Sequence, residues 1–351
     1  MTPSLDRPAA SLADAPHAAV SDAAAPRSAA ALPFTGPWLL APMEGVTAPS
    51  FRDLVLARHS PSDLGGAFTE FIRVVDHGVP KRVFLEHLGP RRFPIPVGVQ
   101  LMGRAVDALM ASARHAVEVG APLVDLNFGC PAKGALRGCA GSGALRDPCG
   151  MEEVVRAVVQ AVDGAVPVTA KIRAGFDDAR DIERLARAVE AGGASLLTVH
   201  CRTRAEGYQP EVDWTRIARA VSAVTIPVCG NGGIDTHDDL VRMRRETGAR
   251  YAMVGRGAIA DPWVFSGHRA TPAEAAGFLL EYYRYLVSCA GEPRSPVKRV
   301  KQLLRYWTAG GVVRDAADRL TWLREEDYGA FVARLEAIGA EDRDADVLEH
   351  V

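Results

Sequence analysis

Hydrophobic residues in this chain fall into short blocks separated by stretches of helical spacing. The blocks are WLLAP (38–42), GAFTEF (66–71), PVGVQL (96–101), LVDLN (123–127), VTAKI (168–172), LLTVH (196–200), IPVCGN (226–231) and YAMVG (251–255). Each is short and rich in apolar residues, as a strand covered on both faces should be. Between most of them, apolar positions recur every three or four residues. Val106, Leu109, Ala113 and Val117 form one such stripe, and Leu185, Ala188 and Val189 another. Eight strand–helix units predict an α/β fold, a (β/α)8 TIM barrel. A doubly wound sheet is the alternative, but it usually has fewer units. From Thr271 the strand pattern stops. Helical patterns near 273–290, 297–308, 314–323 and 327–338 predict a small C-terminal helical domain. The expected division is a flexible Ala/Pro-rich tail over 1–33, a barrel over 34–268 and the helical domain over 269–351. The tail lacks the basic start and apolar block of a signal peptide, and its acids Asp6, Asp14 and Asp22 argue against a transit peptide. It is expected to carry no function.

Composition narrows the class. The chain has 351 residues, 48% hydrophobic and 24% charged, enough for a sizeable core. A net charge of −2 means that a nucleic-acid partner must be held by a local basic surface. The six cysteines, at 130, 139, 149, 201, 229 and 289, form no CxxC pair and no zinc-like spacing. Reduced thiols, a cytoplasmic location and no metal are expected. No apolar run reaches about 18 residues, so no membrane span is expected.

Active sites of such barrels lie at the C-terminal ends of the strands. Nearly every strand here ends in a polar or reactive group: Pro42-Met43-Glu44, Glu70, Gln100, Asn127, Lys171, His200, Asn231 and Gly255-Arg256. One such residue is more often a satisfied loop contact; eight in register point to a site. The turns Gly230-Asn231-Gly232-Gly233 and Gly255-Arg256-Gly257 follow the last two strands, where barrels often bind phosphate through backbone N–H groups. Each alone reads equally as a tight turn. Lys171 ends an otherwise apolar run and needs an anion or a reactive role. His200 reads as a site group or as a satisfied core histidine. Gln100 offers both a donor and an acceptor, which suits the edge of a heterocyclic ring that carries both.

Cys130 lies in DLNFGCPAK (125–133), just past the fourth strand block. A buried cysteine is normally an inert small hydrophobe. A Gly-Cys-Pro turn on the functional face argues instead for exposure and chemistry. Cys139 lies in the same loop and is the competing thiol.

Several of these segments resemble the dihydrouridine synthase family: LLAPMEGVT (39–47), TEFIRVVD (69–76), VGVQLMG (97–103), DLNFGCPAK (125–133), AKIRAGF (170–176), TVHCRTRAEGY (198–208), GNGGI (230–234) and VGRGAI (254–259). They run in order through the whole barrel, and the final helices fit the family's tRNA-binding domain. The resemblance implies FMN as cofactor, NADPH (or NADH) as reductant and tRNA as substrate. Hydride passes to C6 of a uracil and Cys130, as general acid, protonates C5. An ordinary thiol, with a pKa of about 8.5, is mostly protonated at neutral pH. Carried over residue by residue, FMN contacts are Pro42, Met43, Glu44, Gln100, Lys171, His200, Asn231, Gly232, Gly233, Gly255 and Arg256. Asn127 and Arg173 are expected at the uridine or its backbone. The sequence departs from the family at Ala135 and Leu136, where a Val-Asn pair is usual, and at Cys201, where the family commonly has glycine.

Lys298, Arg299, Lys301 and Arg305 crowd one helical stretch beside Tyr306 and Trp307. Such a run is ordinarily a solvated face. In this family context it is expected to hold tRNA phosphates, with Arg91, Arg92, Arg202 and Arg204 extending the track. TEFIRVVD, with Arg73, and VKRVKQLL (297–304) look most like the bacterial C-type subfamily, which acts on position 16 of the D-loop. Arg73 would then help set the tRNA orientation. The competing readings are a synthase for another position such as 20, a different FMN barrel such as a dihydroorotate dehydrogenase, and a tRNA-binding chaperone without catalysis. A monomer is the family default.

Overall fold

The apolar runs all become parallel strands. The computed structural model describes residues 31–90, 92–131, 140–290 and 294–348. The strands are β1 (Trp38–Leu40), β2 (Gly66–Phe68), β3 (Ile72–Arg73), β4 (Val97–Met102), β5 (Val124–Phe128), β6 (Val168–Arg173), β7 (Leu196–His200), β8 (Val228–Asn231) and β9 (Tyr251–Val254). Their order is β2-β1-β9-β8-β7-β6-β5-β4-β3, and the β2–β4 pairing closes the ring. This is the expected eight-stranded TIM barrel, with helices outside.

One block stops short. GAFTEF (66–71) does not form one strand: β2 stops at Phe68, and the chain pairs with β4 again only beyond the block, as the two-residue β3. Phe68 aligns with Gly98 and Ile72 with Leu101, so the first chain carries one extra residue between the two pairs. That is a bulge, which bends the strand and re-aims its side chains.

Strand alternation sorts the side chains. Val99, Leu101, Val124, Leu126, Val168, Ala170, Ile172, Leu197 and Val199 face out into the large core shared with the helices. Leu39, Ala41, Phe68, Leu123, Leu196, Cys229, Tyr251 and Met253 face in and form a separate apolar floor. Leu32 and Phe34 pack onto that floor, with the Phe34 ring 5.4 Å from that of Tyr251. Above the floor the inward positions turn polar: Gln100, Asp125, Thr169 and Thr198, then Asn127, Lys171, His200 and Asn231. Apolar residues seal the lower half, and chemistry faces the open end.

Local signals set the helices. Pro148 begins the 148–162 helix and Asp147 caps it, accepting from Gly150 N at 3.1 Å. Thr236 and Asp239 form a reciprocal capping box on the 237–247 helix just after the glycine turn, and Gly248 closes it in the left-handed region.

From Pro272 the described chain is helical: Pro272–Ala290, Arg294–Leu304, Ala316–Arg324 and Tyr328–Leu348. Trp307 and Trp322 are fully buried among these helices, the first tilted against the Phe278 ring and the second edge-on to Phe331. The segment reaches the barrel mouth, where Gln302 Nε2 donates to Gly45 O at 3.4 Å. No helix among the described residues is long and apolar enough to cross a membrane.

Candidate active site

The site begins with a buried carboxylate that the sequence reading did not single out. Asp125 points inward from β5 and is 1% exposed. It accepts from Thr169 Oγ1 at 2.5 Å and from Gln100 Nε2 at 2.6 Å. Burial pushes its carboxyl up to about 6, against those hydrogen bonds and the attraction of Lys171. Its signal in the sequence was a charge within an apolar block, two positions before Asn127.

A chain of contacts rises from Asp125 to the cysteine. Gln100 is fully buried, and its Oε1 accepts from Asn127 Nδ2 at 2.7 Å. Asn127 Oδ1 in turn accepts from Gly129 N at 3.0 Å and Cys130 N at 2.9 Å. The Cys130 carbonyl accepts from Ser142 N at 3.0 Å. Arg173, 3% exposed, donates through Nε to Gly129 O at 2.9 Å and through Nη1 to Thr203 O at 3.0 Å and Gly207 O at 3.3 Å. The turn is therefore held on both sides, and Cys130 stays partly exposed. The bend at Asn127 is an Asx turn, which a short amide side chain favours. Cys139, Ala135 and Leu136 lie outside the described residues.

Lys171 sits beside Asn127, paired with it across β5 and β6. It makes no hydrogen bond or ion pair among the described residues. Burial and the neighbouring Arg173 push its amine down to about 8, partly opposed by Asp125. An unpaired cation inside a barrel calls for an anionic ligand.

Two strands further round the ring lies a cradle of backbone. Gly232 has φ +101° and Gly233 +69°, conformations that glycine adopts without strain. A Cβ on Gly232 would meet Cys201 Sγ at 2.9 Å and His200 Nε2 at 3.2 Å. One on Gly257 would meet Ile234 O at 2.4 Å, so the two glycine turns touch. No described residue accepts from the amides of Gly232, Gly233 or Gly255, leaving them free to hold an anion. Asn231 Nδ2 donates to Met253 O at 2.8 Å, and Trp214 Nε1 donates to Gly232 O at 2.9 Å. Met43 lies beside Gly255, its own amide bonded to Thr47 Oγ1 at 2.8 Å. Pro42 and Glu44 flank it, and Glu44 is exposed.

His200 is 8% exposed. Its Nδ1 accepts from the Arg202 amide at 3.2 Å, so the ring proton lies on Nε2, the side facing Gly232. Burial, then Lys171, Arg173 and Arg202, hold it well below the usual imidazole range, so it is neutral. Tyr208, missed in the sequence although it ends a quoted motif, stands 57% exposed at the mouth. The guanidiniums of Arg256 and Arg173 lie 4.6 and 5.3 Å from its ring, and His200 meets it edge-on. Glu70, in the bulge, has one oxygen sealed from solvent without a partner among the described residues.

The expected nucleic-acid residues are more dispersed. Arg73 is exposed on β3, and Lys298 and Arg305 are exposed on the helical segment. Arg299 Nη1 donates to Gln302 Oε1 at 3.2 Å, near Gly45. Lys301 donates to Leu323 O at 3.2 Å and to Glu325 O, capping the C-terminus of the 316–324 helix. Its amine is engaged inside the protein. Trp307 is buried and donates to Ala309 O at 3.0 Å, so it offers no stacking surface. Arg91 lies outside the described residues. No group of three or more metal-type ligands occurs among those described.

The Dihydrouridine synthase (Dus) family model matches residues 39–342. A tRNA-dihydrouridine(16) synthase from Shewanella oneidensis is 39% identical over 279 residues, 76% of this chain and 87% of that protein. One from Pseudomonas putida is 36% identical over 324 residues, 86% of this chain and 97% of its own length. Among solved structures, histamine dehydrogenase from Rhizobium sp. 4-9 has a TM-score of 0.50 at 13% identity, covering 70% of this chain and 48% of that one, a likeness of fold. The thiol turn, the lone lysine and the paired glycine cradle thus belong to a chain matched along almost its whole barrel. It belongs to the dihydrouridine synthase family, flavin-dependent oxidoreductases acting on tRNA.

Proposed function

We propose that this enzyme uses FMN and NADPH to reduce the C5–C6 bond of uridine 16 in the tRNA D-loop. The observation that carries the reading is the pairing of Lys171 with Asn127 across β5 and β6. It sets an unpaired cation beside the residue that holds the Cys130 turn.

The residues present fit FMN. The free amides of Gly232, Gly233 and Gly255 suit its phosphate, with Arg256 at the rim. Lys171 suits the edge of the ring that gains negative charge on reduction, and neutral His200 can donate through Nε2. Met43 and Pro42 supply apolar contact. Gln100, with both amide ends engaged, acts mainly by positioning Asn127. Bound FMN supplies the hydride chemistry. The protein supplies the rest. Asn127 and Arg173 fix the Cys130 turn at the mouth, and Cys130 donates a proton to C5. The target base must leave its stack to reach this depth. We assign residues 34–268 to the catalytic barrel and 269–351 to a helical tRNA-binding domain, with Lys298, Arg299 and Arg73 on the RNA side and Lys301 supporting it from within. The protein is read as a cytoplasmic monomer.

The position-16 assignment rests on the activity for which the relatives are named, together with TEFIRVVD and VKRVKQLL in this chain. Mapping dihydrouridine in tRNA from a deletion strain tests it. Loss at 16 alone supports it, loss at 20 moves the assignment, and no loss rejects tRNA as the substrate. A colourless protein that FMN cannot reconstitute would sink the flavin reading.

A further inference from the structure

Phe176, Arg146 and Arg204 come from three different loops and meet beside the Cys130 turn. The Arg146 guanidinium carbon lies 3.7 Å from the Phe176 ring centroid, and that of Arg204 lies 5.2 Å away. Two cations share one half-buried ring. The negative face of the ring attracts each of them, which offsets part of their mutual repulsion.

Little carboxylate balances them. Arg146 is 64% exposed, and its nearest acid, Asp177, is 3.8 Å away. Arg204 has no ion pair among the described residues. The neighbouring acids are engaged elsewhere: Glu206 binds Arg216 through both oxygens, at 2.7 and 2.9 Å, and Asp178 binds Arg180 at 2.6 Å.

The backbone holding the pair is fixed. Arg204 N donates to Gly175 O and Ala205 N to Phe176 O, each at 2.9 Å. Arg146 ends the 3-10 helix Gly141–Arg146, whose Ser142 amide binds the Cys130 carbonyl. At a rise of about 2 Å per residue, Arg146 stands roughly 8 Å along the chain axis from that contact. On the other side, Arg173 bridges Gly129 O and Thr203 O, so the loop that carries Arg204 is tied to the same turn.

We propose that Arg146 and Arg204, seated on Phe176, form a clamp for an RNA phosphodiester next to the uridine presented to Cys130. The proposal rests on the tRNA reading above. The ring holds the two forks side by side, and the phosphate supplies the negative charge that the protein withholds. Guanidiniums already cover the ring, so it serves as a platform for them and not as a stacking surface for a base.

The test uses the full-length holoenzyme and an unmodified tRNA transcript. Binding is measured across a salt series for Arg146→Gln, Arg204→Gln, the double variant and Phe176→Leu, with Arg245→Gln as a remote exposed control. Each clamp arginine lost is expected to weaken binding about three- to ten-fold and to lower the salt slope by about one. Phe176→Leu should weaken binding without altering the formal charge, and Arg245→Gln should match wild type. Flavin reduction by NADPH should be unchanged throughout. An unchanged salt slope in the double variant overturns the clamp, as does an equal effect of Arg245→Gln. A raised KM for NADPH with normal RNA binding would assign the pair to the reductant's phosphate instead. If the wild type binds no tRNA, the functional reading falls along with the clamp.

Discussion

Asn127 Oδ1 accepts the amide hydrogen of Cys130 at 2.9 Å, while its own amide nitrogen donates to Gln100 at 2.7 Å. One side chain thus ties the proposed acid to the buried Gln100–Asp125 pair. Asn127→Ala removes the acceptor for two amides, at a cost of about 1–3 kcal/mol where they stay unpaired. The expected result is slowed tRNA reduction with normal flavin reduction by NADPH. Asn127→Asp keeps the acceptor but loses the link to Gln100, and should fall between. Loss of flavin reduction to the same degree as tRNA reduction would show that the residue serves the cofactor instead.

Cys130→Ala should retain FMN and its reduction by NADPH yet lower uridine reduction by about 10²–10⁴-fold, the range of a missing general acid. Single-turnover measurement with pre-reduced enzyme separates the two half-reactions. If Cys139→Ala shows this behaviour and Cys130→Ala does not, the acid is Cys139.

Lys171 gives a pH signature. Its amine is held at about 8, below the ordinary lysine value. Above that pH the free protein loses the charge, and anion binding must restore it. FMN affinity should therefore be flat below pH 8 and weaken above it, and Lys171→Met should bind more weakly without that inflection. Titration of the apoprotein with FMN from pH 6 to 10 reads this directly. A wild-type profile parallel to that of Lys171→Met would remove Lys171 from the flavin site. The stability sign follows the same logic. The folded pKa is depressed, so the unfolded chain binds more protons between about 8 and 10.5, and this group's contribution to stability rises with pH across that window.

Gly232→Ala tests the anion cradle. Its φ of +101° and the 2.9 Å approach to Cys201 Sγ leave no room for a methyl group. Strain of about 1–3 kcal/mol is expected, with loss of bound FMN at cofactor concentrations that saturate wild type. A variant that purifies fully loaded would argue that this turn does not bear the phosphate.

Lys298 and Lys301 are close in sequence but are predicted to fail differently. Lys298→Ala should weaken tRNA binding and leave the melting temperature unchanged, because the side chain is exposed. Lys301→Ala should lower the melting temperature, because its amine caps the 316–324 helix. Equal melting curves for the two would contradict the capping role.

Local pattern was enough to read the barrel and the layer of polar groups at the strand ends. The strands are short and covered on both faces, and most lead into a helix, so near-neighbour spacing specifies the ring. It also marked Cys130, Lys171 and both glycine turns, because a thiol between Gly and Pro, a lysine in an apolar run and clustered glycines are conspicuous locally. How those residues act on one another depends on contacts that form only when the barrel closes. Asp125 became a hub only when β4 and β6 closed around it. Arg173 became a brace for the Cys130 turn because the carbonyls it reaches lie on other loops. Lys301 turned inward while Lys298 stayed outside, since a charge run does not say which side of its helix meets a neighbouring helix end. Phe176, Arg146 and Arg204 are far apart in the chain, and only barrel closure sets two arginines on one ring. Strand pattern is a near-neighbour property, whereas hydrogen-bond partners and charge balance depend on residues brought together from opposite ends of the fold.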